Sequence, residues 1–115
     1  MHELSIADAI VRIADSHADG RKVTRVDVRI GHLRQVVPSA LGFAFEMVAA
    51  GTAVEGAELV VSDVRARVAC RGCGAETEVD GFPLACTGCG GLNVEVIEGE
   101  ELYVESIEVE KMAVA

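Results

Sequence analysis

Four cysteines carry the plainest chemistry in this chain of 115 residues. In CRGCGAETEVDGFPLACTGCGG, Cys70, Cys73, Cys86 and Cys89 form two C-x-x-C pairs separated by twelve residues. Thiolates three positions apart on a tight turn reach one ion, and two such turns facing each other complete a tetrahedron. Gly74 and Gly90 follow the second cysteine of each pair and permit the positive φ that points backbone N–H groups at sulfur. Zn(II) fits this donor set. Two disulfides, or a thioredoxin-type redox pair, are the competing readings. A redox dithiol needs a single C-x-x-C at a helix start, whereas these pairs sit among turn residues. Four thiolates leave no open coordination position, so the zinc would be structural. Only Val79, Phe82 and Leu84 offer this segment a core, which predicts that it unfolds when zinc is removed. Between Cys70 and Gly91 the one basic residue is Arg71, against Glu76, Glu78 and Asp80, so nucleic acid is the weaker partner.

The other candidate lies at the start, MHELSIADAI. A histidine in second place is bulky enough that the initiator methionine is expected to stay. The amine of Met1, the deprotonated amide of His2 and the His2 ring then close one five-membered and one six-membered chelate ring. Three nitrogens in a plane suit Ni(II) or Cu(II) far better than calcium or magnesium. The amide or carboxylate of Glu3, another side chain or a partner protein is left to fill the fourth position. Taken alone, such a histidine is most often a solvated terminal residue. Of the remaining histidines, His17 falls near the end of the first helix, where a protonated ring gains from the helix dipole. His32 lies in the GHLRQ loop, as surface or as a further ligand.

These sites need elements to hold them. Ile6, Ile10 and Ile13, flanked by Ala9 and Ala14, predict an amphipathic helix capped by Ser5 and ended at Ala18–Gly20. VTRVDVRI alternates, with Val26, Val28 and Ile30 on one face and Arg25, Asp27 and Arg29 on the other, and predicts a half-buried strand. Pro38 starts a second helix that stops at Gly51, with Leu41, Ala44, Phe45 and Val48 inward. Phe43, Phe45 and Phe82 are expected to be the bulkiest core members. AELVVSDVRARVAC reads as one long strand whose apolar phase switches between Val61 and Val64, which implies a bulge or two packing partners. ELYVESIEVE switches likewise, and the two strands are expected to pair as an antiparallel ribbon bracketing the cysteine segment. The expected fold is α+β: two helices packed on a small mixed β-sheet, with an inserted zinc-ribbon module. Residues 1–68 and 97–115 form the α/β part and residues 69–96 the ribbon.

The totals narrow the function classes. Half of the residues are hydrophobic but only 3% are aromatic, so the core must be aliphatic. A formal charge of −9 opposes phosphate-rich partners and favours basic partners or cations. No run of about twenty apolar residues suggests a membrane span, and Glu3, Asp8 and Asp15 break any secretory leader. A cytoplasmic protein is expected, a setting in which four cysteines point to metal or redox chemistry before structural disulfides.

Taken together, MHELSIADAI, VRIGHL, VVPSALGFAFEMVAAGT, EGAEL, the paired C-x-x-C groups and LYVESIEVE give a chain that resembles the hydrogenase nickel-incorporation metallochaperones (HypA/HybF) over nearly its whole length. The resemblance implies a nickel site of Met1, His2 and Glu3, with His2 indispensable, and a structural zinc on Cys70, Cys73, Cys86 and Cys89. It also implies transient Ni(II) cargo delivered to the large subunit of [NiFe]-hydrogenase with a GTPase partner, and in some organisms to urease. The protein would be a cytoplasmic monomer or weak homodimer that is not an enzyme. Members often carry a proline shortly before the first cysteine pair, where this chain runs SDVRARVAC.

Overall fold

The computed structural model describes residues 2–111. Helix α1 (His2–Ser16) is followed by strand β1 (Val23–Gly31), a 3-10 turn (His32–Arg34) and helix α2 (Pro38–Ala49). Five strands complete the chain: β2 (Glu58–Val64), β3 (Ala66–Cys70), β4 (Glu76–Val79), β5 (Val94–Glu98) and β6 (Leu102–Val109). They form two three-stranded sheets, ordered β2-β1-β6 and β4-β3-β5. The α+β class with two helices and small sheets is as the sequence predicts.

The chain divides into two compact units. Among the described residues, the first comprises 2–28, 36–61 and 103–111; the second comprises 29–35 and 62–102.

In the first unit, helix α1 buries Ile6, Ala7, Ile10, Val11 and Ala14, the i, i+1, i+4, i+5, i+8 stripe of a helix lying on a core. Ile13 and Ala9 fall outside this stripe, and Ile13 is 44% exposed. Ser5 does not cap the helix. The helix already begins at His2, and the Ser5 hydroxyl donates to the His2 carbonyl at 3.0 Å. The helix ends at Ser16, just before the expected stop at Ala18–Gly20, where Asp19 and Gly20 both take positive φ. Helix α2 buries Leu41, Ala44, Phe45 and Ala49, while Val48 is only half-buried. Of the three phenylalanines expected in the core, only Phe45 is there. Phe43 is 66% and Phe82 61% exposed, and Leu, Val and Ile fill the interior instead.

Strand β1 keeps the predicted alternation, burying Val26, Val28 and Ile30. It is the centre of its sheet. Glu110 N–H donates to the Lys22 carbonyl at one end and Gly31 N–H to the Glu101 carbonyl at the other, so β6 runs antiparallel to it. The predicted long strand is in fact two, interrupted at Arg65, because β2 joins one sheet and β3 the other. The switch in apolar phase marks that change of partner. The expected ribbon between this segment and the last strand is therefore absent: β2 and β6 flank β1 on opposite sides, and β3 pairs with β4 and β5. Pairing is a long-range property, and matched phase switches in two strands do not require that they meet.

In the second unit, β3 lies antiparallel to β4 (Val68 opposite Thr77) and to β5 (Val68 opposite Val96), with a bulge between Arg67 and Val68 on the β5 side. Ala66, Val68 and Val79 form its core, against which Leu33, Leu84, Val94 and Val96 pack. Gly31 lies against the Gly99 carbonyl so closely that a Cβ at Gly31 would overlap backbone.

The Gly31→Ala variant is expected to lose about 1–3 kcal/mol through this overlap. The same change at Gly42, inside α2 with open space around it, is expected to gain roughly 0.5–1 kcal/mol from helix propensity. Denaturant midpoints of the two variants check the opposite signs.

Candidate metal centres

The four cysteines converge. Their sulfurs lie within 4.8 Å of one another, with Cys70 Sγ 3.7 Å from Cys89 Sγ and Cys73 Sγ 3.6 Å from Cys86 Sγ. A tetrahedral zinc with bonds of about 2.3 Å needs edges of about 3.8 Å, so the donor set fits that ion as it stands. All four are free thiols rather than disulfides.

Two similar turns produce the cluster. In the first, Cys70 N–H donates to the Ala75 carbonyl (2.8 Å) and Gly74 N–H to the Cys70 carbonyl (2.9 Å). In the second, Cys86 N–H donates to the Gly91 carbonyl (2.9 Å) and Gly90 N–H to the Cys86 carbonyl (2.8 Å). Gly74 and Gly90 take φ of 78° and 75°, the left-handed conformation that their place in the sequence predicts. Cys73 N–H points at Cys70 Sγ and Gly91 N–H at Cys89 Sγ, each at 3.4 Å.

These N–H groups favour thiolate over thiol. The Cys89 N–H, helped by that of Gly88, draws Cys86 down to about 7. The Cys73 and Gly72 N–H groups lower Cys70. At Cys73 the Ala75 N–H acts in the same direction, but the three neighbouring thiols outweigh it and push the group up to about 11. Packed sulfurs thus resist joint ionisation until a cation arrives, and uptake of a thiophilic metal must release protons.

The arginines beside the cluster face carboxylates across the sheet. Arg65 pairs with Glu78 (2.6 Å) and Asp80, Arg67 with Glu76 and Glu98, and Arg71 with Glu95. Exposed pairs of this kind add little stability, but they leave the ribbon without an uncompensated basic face.

At the other candidate site, Met1 lies outside the described residues. His2 is the first residue of α1, with its side chain about half exposed. Its Nε2 is 3.3 Å from Glu3 Oε2. The Glu3 carboxylate also accepts the Val37 N–H at 3.2 Å, at the N-cap of α2. That backbone bond is the main reason the Glu3 carboxyl stays below its usual 4.5, with smaller help from its own N–H and the His2 ring. Val37 is the participant that sequence reasoning missed. Pro38 marks a helix start and hence an orphan N–H, but nothing local says that a residue 34 positions earlier will cap it.

The other histidines are engaged within their own units. His17 Nδ1 lies 2.8 Å from the Ile13 carbonyl and 3.2 Å from Ser16 Oγ, at the C-terminal end of α1. His32 Nε2 lies 2.8 Å from the Asp80 carbonyl, and its Nδ1 is 3.7 Å from Asp63.

Known proteins resemble this chain along nearly its whole length. The family described as hydrogenase/urease nickel incorporation, metallochaperone, HypA matches residues 1–109. The chain belongs to the HypA family. The hydrogenase maturation factor HypA of Geotalea uraniireducens is 44% identical over 110 residues, 96% of this chain and all of that protein. Its counterpart in a Nostoc species is 41% identical over 114 residues, again along its full length. The solution structure of the nickel metallochaperone HypA from Helicobacter pylori superposes with a TM-score of 0.66 at 25% identity, covering 93% of this chain and 96% of that one. A second HypA solution structure gives 0.68 at 26% identity, covering 96% and 97%. As a HypA the chain is a hydrogenase-maturation metallochaperone and not an enzyme. No helix among the described residues is long and apolar enough to cross a membrane.

The depressed Glu3 pKa makes its bond to Val37 a source of stability above the ordinary carboxylate range that is lost as pH falls through the folded-state value. Glu3→Gln is therefore expected to lower the thermal midpoint at pH 7, and the gap to the parent chain should close in the acid range below 4.5. Melting curves across that range check it.

Proposed function

We propose that this chain carries Ni(II) at its N-terminus, through Met1, His2 and Glu3, and passes it to the large subunit of [NiFe]-hydrogenase with a GTPase partner. The observation that carries the reading is the placing of His2. It is the first residue of a helix, and the first four N–H groups of a helix have no intrahelical partner. The amides of His2 and Glu3 can therefore lose their protons to a metal without breaking a helical hydrogen bond. The Glu3 carboxylate, held by the Val37 N–H, braces the His2 ring beside them. Planar nitrogen donors suit Ni(II). Their place on the first turn of α1, beside a half-exposed His2 ring, keeps the ion within reach of a partner's competing ligands, which is what a carrier needs. Copper binds such donors more tightly, so selection for nickel falls to metal supply and to the receiving protein.

The hydrogenase client is supported by the relatives, which are named hydrogenase maturation factors. Urease is a second client of the same cargo, in keeping with the family's description. Delivery of this kind takes place in the cytoplasm, by a monomer or weak homodimer.

We further assign Cys70, Cys73, Cys86 and Cys89, in the ribbon of residues 69–96, to a structural zinc, with residues 1–68 and 97–115 bearing the nickel. When bound, zinc supplies four bonds that neutralise the clustered thiolates and close the site. A closed sulfur site has no position for exchangeable cargo, which leaves transport to the N-terminus.

Two measurements test these assignments. Calorimetry on the chain with its native Met1 is expected to show about one nickel bound. The same chain with one extra N-terminal residue, or with His2→Ala, is expected to bind at least tenfold more weakly. Equal binding by native and extended chains would overturn the N-terminal site. Removing zinc with a chelator, or by Cys86→Ser, is expected to collapse the amide resonances of Ala66–Glu98 while those of α1 and α2 persist. Persistence of both sets would overturn the zinc assignment.

A further inference from the structure

Strand β6 is an edge strand. It has β1 on one side and, among the described residues, no strand on the other. An edge of this kind presents unpaired N–H and C=O groups to any extended chain. Beside it lies a groove of about 240 Å³ lined by Ile13 and His17 from the end of α1 and by Val104, Glu105, Ser106 and Ile107 of β6. The volume is below the roughly 300–1,000 Å³ of small-molecule sites and suits one or two side chains. Ile13, Val104 and Ile107 make it apolar, and this is where the isoleucine that left the helix stripe is spent. Its polar residues are unevenly occupied. Ser106 donates its hydroxyl to Asp27 at 3.0 Å. His17 uses Nδ1 on the Ile13 carbonyl, so the neutral ring that donates this bond keeps Nε2 as an acceptor. Glu105 is exposed, and none of the ion pairs among the described residues engages it.

We propose that the β6 edge and this groove dock an extended basic segment of a partner protein, which adds as a strand beside β6 and seats a lysine or arginine side chain in the groove. The aliphatic stem lies on Ile13, Val104 and Ile107, and the cationic end meets Glu105 and the His17 ring. Main-chain hydrogen bonds supply the affinity, and the groove supplies the preference for a base.

Charge selects the occupant. Glu105 lies on β6 and Glu110 follows it, while Glu108 on the same strand faces Arg25 at 3.8 Å, and the chain carries a formal charge of −9. A second copy would set like charges opposite one another along the new ladder, which is destabilising. Acidic residues on an edge also guard against self-pairing. A basic strand turns each of those repulsions into an attraction.

The test uses the full chain, free of nickel, so that its result is independent of the proposed cargo site. The probe is an acetylated, amidated peptide in which lysine alternates with valine and threonine, with a control carrying glutamate in place of lysine. The lysine peptide is expected to slow amide exchange at Val104–Ile107, to shift the Ile13 and His17 signals, and to bind at least tenfold more weakly to Glu105→Lys. Glu105→Gln is expected to fall between, and both variants to keep the parent's thermal midpoint because residue 105 is exposed. The proposal is overturned if the lysine peptide does not bind, or if both peptides bind alike. Protection away from β6, or affinity indifferent to Glu105→Lys, would also overturn it. A concentration-dependent dimer that protects β6 without peptide would show that a second copy, not a basic segment, is the occupant.

Discussion

Holding four sulfur atoms within 4.8 Å of one another is the constraint around which the second unit is built. Thiolates at that spacing repel, and the chain answers with local geometry. Each C-x-x-C turn aims backbone N–H groups at its own sulfur and closes on a glycine at positive φ. The effect is uneven across the cluster. It draws Cys86 down to about 7 while Cys73, facing three other thiols, stands at about 11. The short sheet of β3, β4 and β5 then holds the two turns face to face, with Cys70 at the end of β3. Its core is small: Ala66, Val68 and Val79, with Leu33, Leu84, Val94 and Val96 packed against them.

The N-terminal site is arranged on the opposite principle. The His2 side chain is about half exposed, and on the proposed reading its donors are amides at a helix start, where no intrahelical bond claims them. Beside it the Glu3 carboxylate accepts the N–H of Val37, the N-cap residue of α2. On the proposed reading the contrast is the mechanism. A closed sulfur cage retains its ion, and an open nitrogen chelate gives its ion up to a better ligand set.

Much of this was visible in the residues. The cysteine spacing and the glycine after each pair announce the two turns, because both depend on neighbours a few positions apart. The alternation of Val26, Val28 and Ile30 likewise defines β1 without reference to anything distant. What the sequence did not show is who pairs with whom. The phase switch near Val64 is real, but it records the passage from one sheet to the other at Arg65, not a bulge in a ribbon shared with β6. Hydrophobicity alone also misplaced Phe43, Phe82 and Ile13, since a small unit cannot enclose every large apolar side chain. The Glu3–Val37 bond joins two helix starts far apart in sequence, and no local pattern encodes it.

On the proposed reading, cargo nickel and structural zinc occupy chemically different sites on one chain. X-ray absorption at both metal edges, on protein loaded with one equivalent of each, tests it directly. Nitrogen and oxygen donors alone, in a planar environment, are expected around nickel. Around zinc, four sulfurs are expected at about 2.3 Å, unchanged by the nickel. Sulfur in the nickel shell, or loss of sulfur from the zinc shell when nickel is added, would contradict it.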